Sequence, residues 1–187
     1  MPDSFAEKSG LVLNECSAVF SRIDPAAVEG LVDRILEADK VFFVGVGRVL
    51  IALQAAVKRF NHLGIPAFYV GQIDEPPITA RDLLIVGSGS GESLYPVAIT
   101  QKAKRLGARI AYIGSNPDST IKQSSDLFVR IPVPSKVPVE DTVVSQQPMT
   151  SLFEQCLFLL GDVLALMIME EKRLKKDDLN LKHANLE

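Results

Sequence analysis

The stretch Leu83-Leu84-Ile85-Val86-Gly87-Ser88-Gly89-Ser90-Gly91-Glu92-Ser93 decides how the rest of the chain is read. Leu83 to Val86 is a continuous apolar run announced by Arg81-Asp82, the mark of a strand covered on both faces. Ser93 opens a helical pattern that reaches Leu106 and is closed by Gly107. A strand, a glycine turn and a helix in that order set free backbone N–H groups and hydroxyls at the carboxyl edge of a parallel sheet. A helix dipole there favours an anion. Gly89 and Gly91 let the backbone approach an oxyanion closely, while Ser88, Ser90 and Ser93 each offer a hydrogen bond without adding charge. The expected guest is a phosphomonoester.

Other readings of this turn fail on spacing. A Walker loop needs a lysine beside its hydroxyl residue, and Glu92 stands there instead. A nucleophile elbow needs a glycine two residues before its serine, but Val86 precedes Ser88 and Ser88 precedes Ser90 at that distance. A ligand-free Gly/Ser turn is the bland alternative, and it would leave a flexible segment with no partner to order it.

Working outward, the same unit recurs. Val41-Phe42-Phe43-Val44 is a strand that ends at Gly45-Val46-Gly47-Arg48, and helical spacing then runs over 48–63, with Gly64 and Pro66 beyond. Further strands are expected over 67–70, 110–113 and 127–131, with a short helix begun near Ser115-Asn116-Pro117-Asp118. Ahead of the first strand, 4–20 fits a helix imperfectly, and Asp24-Pro25 starts a second that runs to about 38. Strands alternating with helices predict an α/β fold, a three-layer αβα sandwich with a five-stranded parallel sheet of the flavodoxin/Rossmann-like kind. The proline-bearing stretch 132–148 reads as a long loop of the sort that forms lids. A last helix covers 149–170, followed by a charged turn over 171–178 and a tail over 179–187.

Gly45-Val46-Gly47-Arg48 resembles the start of a dinucleotide fingerprint, yet Leu50 occupies the third glycine position. Val70-Gly71-Gln72 stands where an acid should end the next strand, so NAD is not expected. Gly47 and Arg48 instead suit contacts to the oxygens of a compact sugar phosphate, a solvated N-terminal arginine being the competing role for Arg48.

Composition narrows the classes. The chain has 187 residues, 47% of them apolar, enough for one domain over 1–187: N-terminal helices 4–38, an α/β core 41–131, the loop 132–148, and a C-terminal helix and tail 149–187. Twenty basic and 23 acidic residues, well mixed, give a net charge of −3 and no footprint for nucleic acid. The apolar runs Val41 to Gly47 and Leu157 to Met169 are short, or interrupted by Gly161 and Asp162, against the roughly 20 residues a membrane span takes. Met1 to Gly10 is polar and acidic, so no cleavable signal is expected and the chain reads as cytoplasmic. Two cysteines, Cys16 and Cys156, and two histidines, His62 and His183, make a metal site improbable by count.

Several segments together resemble the 6-phospho-3-hexuloisomerase family of SIS (sugar isomerase) domain proteins. They are Gly45-Val46-Gly47-Arg48, His62-Leu63-Gly64, the serine loop, Ser115-Asn116-Pro117-Asp118-Ser119, Gln147-Pro148-Met149, Leu152-Phe153-Glu154 and the closing His183-Ala184-Asn185-Leu186-Glu187. The resemblance implies interconversion of D-arabino-hex-3-ulose 6-phosphate and fructose 6-phosphate, the isomerase step of the ribulose monophosphate route, through a cis-enediolate and without metal or redox cofactor. It implies Glu154 as the base and His183 as an assisting acid or base that reaches the site of a neighbouring subunit, hence a homo-oligomer, a tetramer by analogy. Without the resemblance, Glu154 is an early-turn glutamate favoured by the helix dipole and His183 a surface histidine. His62 reads as a helix C-terminal partner. Relatives usually carry serine and glycine where Val49 and Leu50 stand, an acid at Gln72 and a glycine at Thr150. A non-catalytic phosphosugar-binding module, or an isomerase of another sugar phosphate, therefore stays open as an alternative.

Overall fold

The computed structural model describes residues 4–180, 182, 183, 185 and 186; Ala184 and Glu187 of the closing motif lie outside the described residues. Helices α1 (Ser4–Phe20) and α2 (Pro25–Glu37) lead in, with the Asp24 carboxylate accepting from the Ala26 N–H at 3.0 Å. There follow β1 (Val41–Val44), α3 (Arg48–His62), β2 (Ala67–Tyr69), β3 (Leu83–Ser88), α4 (Leu94–Arg105), β4 (Arg109–Gly114), α5 (Thr120–Ser124), β5 (Leu127–Arg130), α6 (Ser151–Glu171) and α7 (Lys176–Asn180). The strands form one sheet in the order β2-β1-β3-β4-β5, every neighbouring pair parallel.

Strand periodicity sorts the apolar residues into two cores. Phe43, Leu83, Ile85, Ala111 and Ile113 face the layer of α1, α2, α3 and α6, while Phe42, Leu84, Val86, Ile110 and Tyr112 face α4 and α5. Both sets are buried, which is why the strands read as unbroken apolar runs. Phe43 meets Phe60 of α3 edge-on with ring centroids 5.5 Å apart, and burying one such side chain contributes about 1.5–3 kcal/mol.

Four sequence expectations shift. β3 continues to Ser88, because the ladder with β4 carries on through Gly87 opposite Ile113 and Ser88 opposite Gly114. The short helix starts at Thr120 with Ser119 as its cap, rather than near Ser115, whose segment is drawn off to brace the serine loop. Within the expected charged turn, Lys176 already begins α7. Finally, α6 is one uninterrupted helix, long and apolar enough by itself to cross a bilayer, with half of its most apolar stretch buried inside the protein. Gly161 does not interrupt it; a Cβ there would sit 3.2 Å from the Ala56 Cβ, so this glycine lets α6 lie close on α3 as the central helix of its layer.

Candidate active site

The chain order of the sheet reverses at β1 and β3. From β1 the chain crosses over to β2 on one side, from β3 to β4 on the other, so the two following loops diverge and leave a crevice at the carboxyl edge. Gly45, just past β1, and Gly87, next to last in β3, lie side by side. A Cβ on either would lie 3.0 Å from the Leu53 Cδ1 and 3.1 Å from the Val49 Cγ1, so the glycine pair admits the first turns of α3 against the sheet. Gly47 caps α3 at φ 59° and ψ −137°, a conformation that glycine adopts without strain.

The serine loop is held by its carbonyls. The Tyr112 hydroxyl donates to the Ser88 carbonyl at 2.8 Å, the Ser115 and Asn116 N–H groups donate to the Gly89 carbonyl at 3.1 and 3.2 Å, and the Asn116 side-chain amide donates to the Ser90 carbonyl at 3.1 Å. Burial pushes the Tyr112 phenol well above its usual pKa, which keeps it a neutral donor. In a trans peptide the N–H points opposite to the preceding carbonyl, so carbonyls drawn toward β4 and α5 turn the Gly89 and Ser90 N–H groups the other way. The Ser88 hydroxyl accepts from the Gly91 N–H at 3.1 Å, and the Ser90 hydroxyl from the Glu92 N–H at 3.3 Å, each keeping its own proton to donate. Ser93 caps α4 without a side-chain capping bond. The Glu92 carboxylate, noted in the sequence only as a mismatch to lysine, accepts from the Thr120 N–H at 2.7 Å and the Thr120 hydroxyl at 2.8 Å, and so ties the loop to α5.

A cavity of about 270 Å³ opens in front of this loop. Gly47, Arg48, Ser88, Gly89, Ser90, Ser93 and Glu154, all expected site residues, line it. Glu154 is buried in the first turn of α6, one carboxylate oxygen paired with the Arg48 guanidinium and the other accepting from the Thr150 hydroxyl at 2.9 Å. Arg48 keeps 66% of its side chain exposed, so its guanidinium has room to swing away from Glu154 toward the cavity rim.

Two expected site residues lie elsewhere. Gly91 is behind the cavity at φ 68°, where a Cβ would come within 2.2 Å of the Ser119 hydroxyl; it shapes the loop from beneath. His183 is at the far end of α6, against His62 and beside Asp162 and Met169. Those positions are eight to fifteen residues beyond Glu154, about 12–22 Å along a helix axis. The sequence reading missed Lys136 and Thr150 as lining residues. It also missed the clamp on the loop after β5, in which the Glu15 carboxylate accepts from the Ser145 hydroxyl at 2.7 Å, the Gln146 N–H at 2.8 Å and the Gln147 side chain at 3.0 Å. A lysine inside a proline-bearing loop was the one signal available for Lys136.

The arrangement offers outward N–H groups and hydroxyls for a phosphate, two cations at the rim, and a buried carboxylate able to move a proton. The SIS domain profile matches residues 34–166. A 3-hexulose-6-phosphate isomerase of Bacillus subtilis (strain 168) is 37% identical over 176 residues, covering 94% of this chain and 95% of that one. One of Mycobacterium gastri is 34% identical over 185 residues, covering 99% and 92%. A Methanococcus jannaschii protein, for which the crystal structure infers the function of a 3-hexulose-6-phosphate isomerase, superposes with a TM-score of 0.84 at 27% identity, covering 97% of this chain and 99% of that one.

Proposed function

Because the chain belongs to the SIS domain family, where 3-hexulose-6-phosphate isomerases match it over nearly its whole length, we propose that it interconverts D-arabino-hex-3-ulose 6-phosphate and fructose 6-phosphate. The observation that carries this reading is the buried Glu154 carboxylate on the wall of the same cavity as the serine loop. The phosphate binds to the hydroxyls of Ser88, Ser90 and Ser93 and to the Gly89 and Ser90 N–H groups, with Gly47 at the opposite lip. Arg48 leaves Glu154 for the sugar oxygens, which frees a carboxylate oxygen to act as base. Glu154 takes the proton from C2 of the 3-ketose, the electron pair moves into a C2–C3 enediolate, and the same carboxylate returns the proton to C3. The hydroxyl proton passes from O2 to O3, assisted by His183 of a neighbouring subunit. Hydrogen stays within the sugar, so the reaction calls for no redox cofactor.

The working unit in this reading is a cytoplasmic homotetramer serving the ribulose monophosphate route. Supporting an assembly, an apolar groove of about 440 Å³ runs beside Arg48 and Glu154, lined by Val12, Leu13, Ile51, Phe158 and Leu159. A subunit seated there would bring its own groups to the rim of the cavity.

Formation of fructose 6-phosphate is the direct test. Glu154→Gln should lower kcat by about 10²–10⁴-fold, the usual contribution of a positioned base. Mixing and reassociating Glu154→Gln with His183→Ala should restore turnover, since a mixed pair holds one intact shared site. Unchanged turnover in both single variants would sink the assignment of roles. Val49 lines the cavity with hydrocarbon where a hydroxyl would reach phosphate, which favours, as the second reading, a phosphosugar-binding module without turnover. That module predicts ligand-dependent thermal stabilisation and no isomerisation.

A further inference from the structure

The His62-Leu63-Gly64 tripeptide at the end of α3 has no part in the cavity just described, yet the C-terminal tail rests on both of its ends. His62 is 7% exposed, and its ring lies against that of His183 with centroids 5.0 Å apart and planes inclined by 32°. Gly64, at φ 75°, carries the next tail contact: a Cβ there would fall 2.1 Å from the Lys182 Nζ and 3.4 Å from its Cε. Successive tail side chains, Lys182 and His183, thus sit on the two ends of one tripeptide. The tail is delivered by α7. Past that helix the Lys182 N–H donates to the Leu179 carbonyl at 3.1 Å and the His183 N–H to the Asn180 carbonyl at 3.3 Å, while Leu179 packs on the core.

We propose that His62 is a positioning residue that holds the His183 imidazole in line for the site of a neighbouring subunit. The inference rests on the reading of His183 as the assisting acid or base given above. His183 is exposed and stands a dozen or more ångströms along α6 from its own Glu154, so it can serve only another chain. An imidazole on an exposed tail turns freely among rotamers. Laid against a buried ring that α3 fixes, it is confined to one orientation before the substrate arrives, and misplacement of a catalytic group by as little as about 1 Å can lower a rate by about 10²-fold. The bland role for His62, a last-turn histidine favoured by the helix dipole, requires no contact with the tail.

The test is a double-mutant cycle on the full-length protein, read by kcat, KM and hydrogen–deuterium exchange of residues 176–183. His62→Ala should lower kcat about tenfold with KM within about twofold, and should speed exchange in the tail. Added to His183→Ala, it should cause no further loss, because its effect passes through a ring already removed. His62→Phe keeps a flat ring in the same place and should hold kcat within about threefold of the parent; it also serves if the alanine variant fails to fold. A loss of the same size in both backgrounds, or unaltered tail exchange in His62→Ala, overturns the positioning role alone. Full activity of His183→Ala overturns the acid role first, and this inference with it.

Discussion

Replacing Tyr112 by phenylalanine isolates one hydrogen bond on which the shape of the serine loop depends. Tyr112 is fully buried, and its ring stacks on Phe128 with centroids 4.9 Å apart at 16°. Phenylalanine keeps that stacking and nearly all the buried apolar area. What disappears is the donor 2.8 Å from the Ser88 carbonyl, in a region closed to water. A buried acceptor left unsatisfied costs about 1–3 kcal/mol. For a chain of this length each kcal/mol moves Tm by about 2–4 °C, so Tyr112→Phe should melt about 2–12 °C below the parent. The same carbonyl orients the next peptide, whose N–H, on the proposed reading, is offered to the phosphate. Phosphate is gripped equally in the bound substrate and at the enediolate, so KM should rise several-fold while kcat holds within about twofold. Calorimetry and steady-state isomerisation on the purified variant check both halves. An unmoved Tm, or a fall in kcat at constant KM, would refute the view that the carbonyls of this loop aim its N–H groups.

Gly91→Ala meets a φ of 68° and a Cβ position 2.2 Å from the Ser119 hydroxyl and 2.7 Å from that of Tyr112. Strain and overpacking together should destabilise by about 2–5 kcal/mol in chemical denaturation. Gly10→Ala, in open space on α1, should instead leave stability unchanged or add up to about 1 kcal/mol. Equal effects at the two sites would contradict this. Desolvation by burial raises the Glu15 pKa, but the Gln146 N–H and the Ser145 and Gln147 side chains outweigh it, and the carboxyl ends below its ordinary 4.5. A lowered value means stability fully present above pH 4.5 and lost as pH falls through the folded pKa. The Tm difference between parent and Glu15→Gln should therefore be constant from pH 7 to about 5 and shrink in more acidic buffer; a difference independent of pH would remove Glu15 as the clamp.

What the sequence made legible was local. The Leu83–Val86 run, the Asp24-Pro25 start and the glycines behind each strand carry their meaning within a few residues, and the strand–helix alternation follows from them. The serine loop was legible as a strand–turn–helix unit for the same reason. Its orientation was not, because the donors that turn it are Tyr112, Ser115 and Asn116, some two dozen residues downstream with no periodic pattern to betray them. Glu92 looked like a failed lysine, since its partner Thr120 is visible only in space. Lys136 and Thr150 line the cavity on a loop whose later part Glu15 clamps, a contact spanning well over a hundred residues. The direction of the tail was hidden in α7, whose charged residues read as a turn.

The brace on the serine loop comes wholly from β4, α5 and the segment joining them, whereas Glu154 and its companions Thr150 and Arg48 belong to α6, its cap and α3. On the proposed reading, the groups that aim the phosphate loop and the carboxylate that works on the sugar are thus carried by opposite layers of the sandwich. In that reading, substitutions around Glu154 that recast the end receiving the carbohydrate leave the hydrogen bonds bracing the serine loop in place, while Gly47 and Val49 of the α3 side still face the same cavity. A scaffold divided in this way can explore new sugars by drift at one wall of its crevice while the brace behind the serine loop stays as it is.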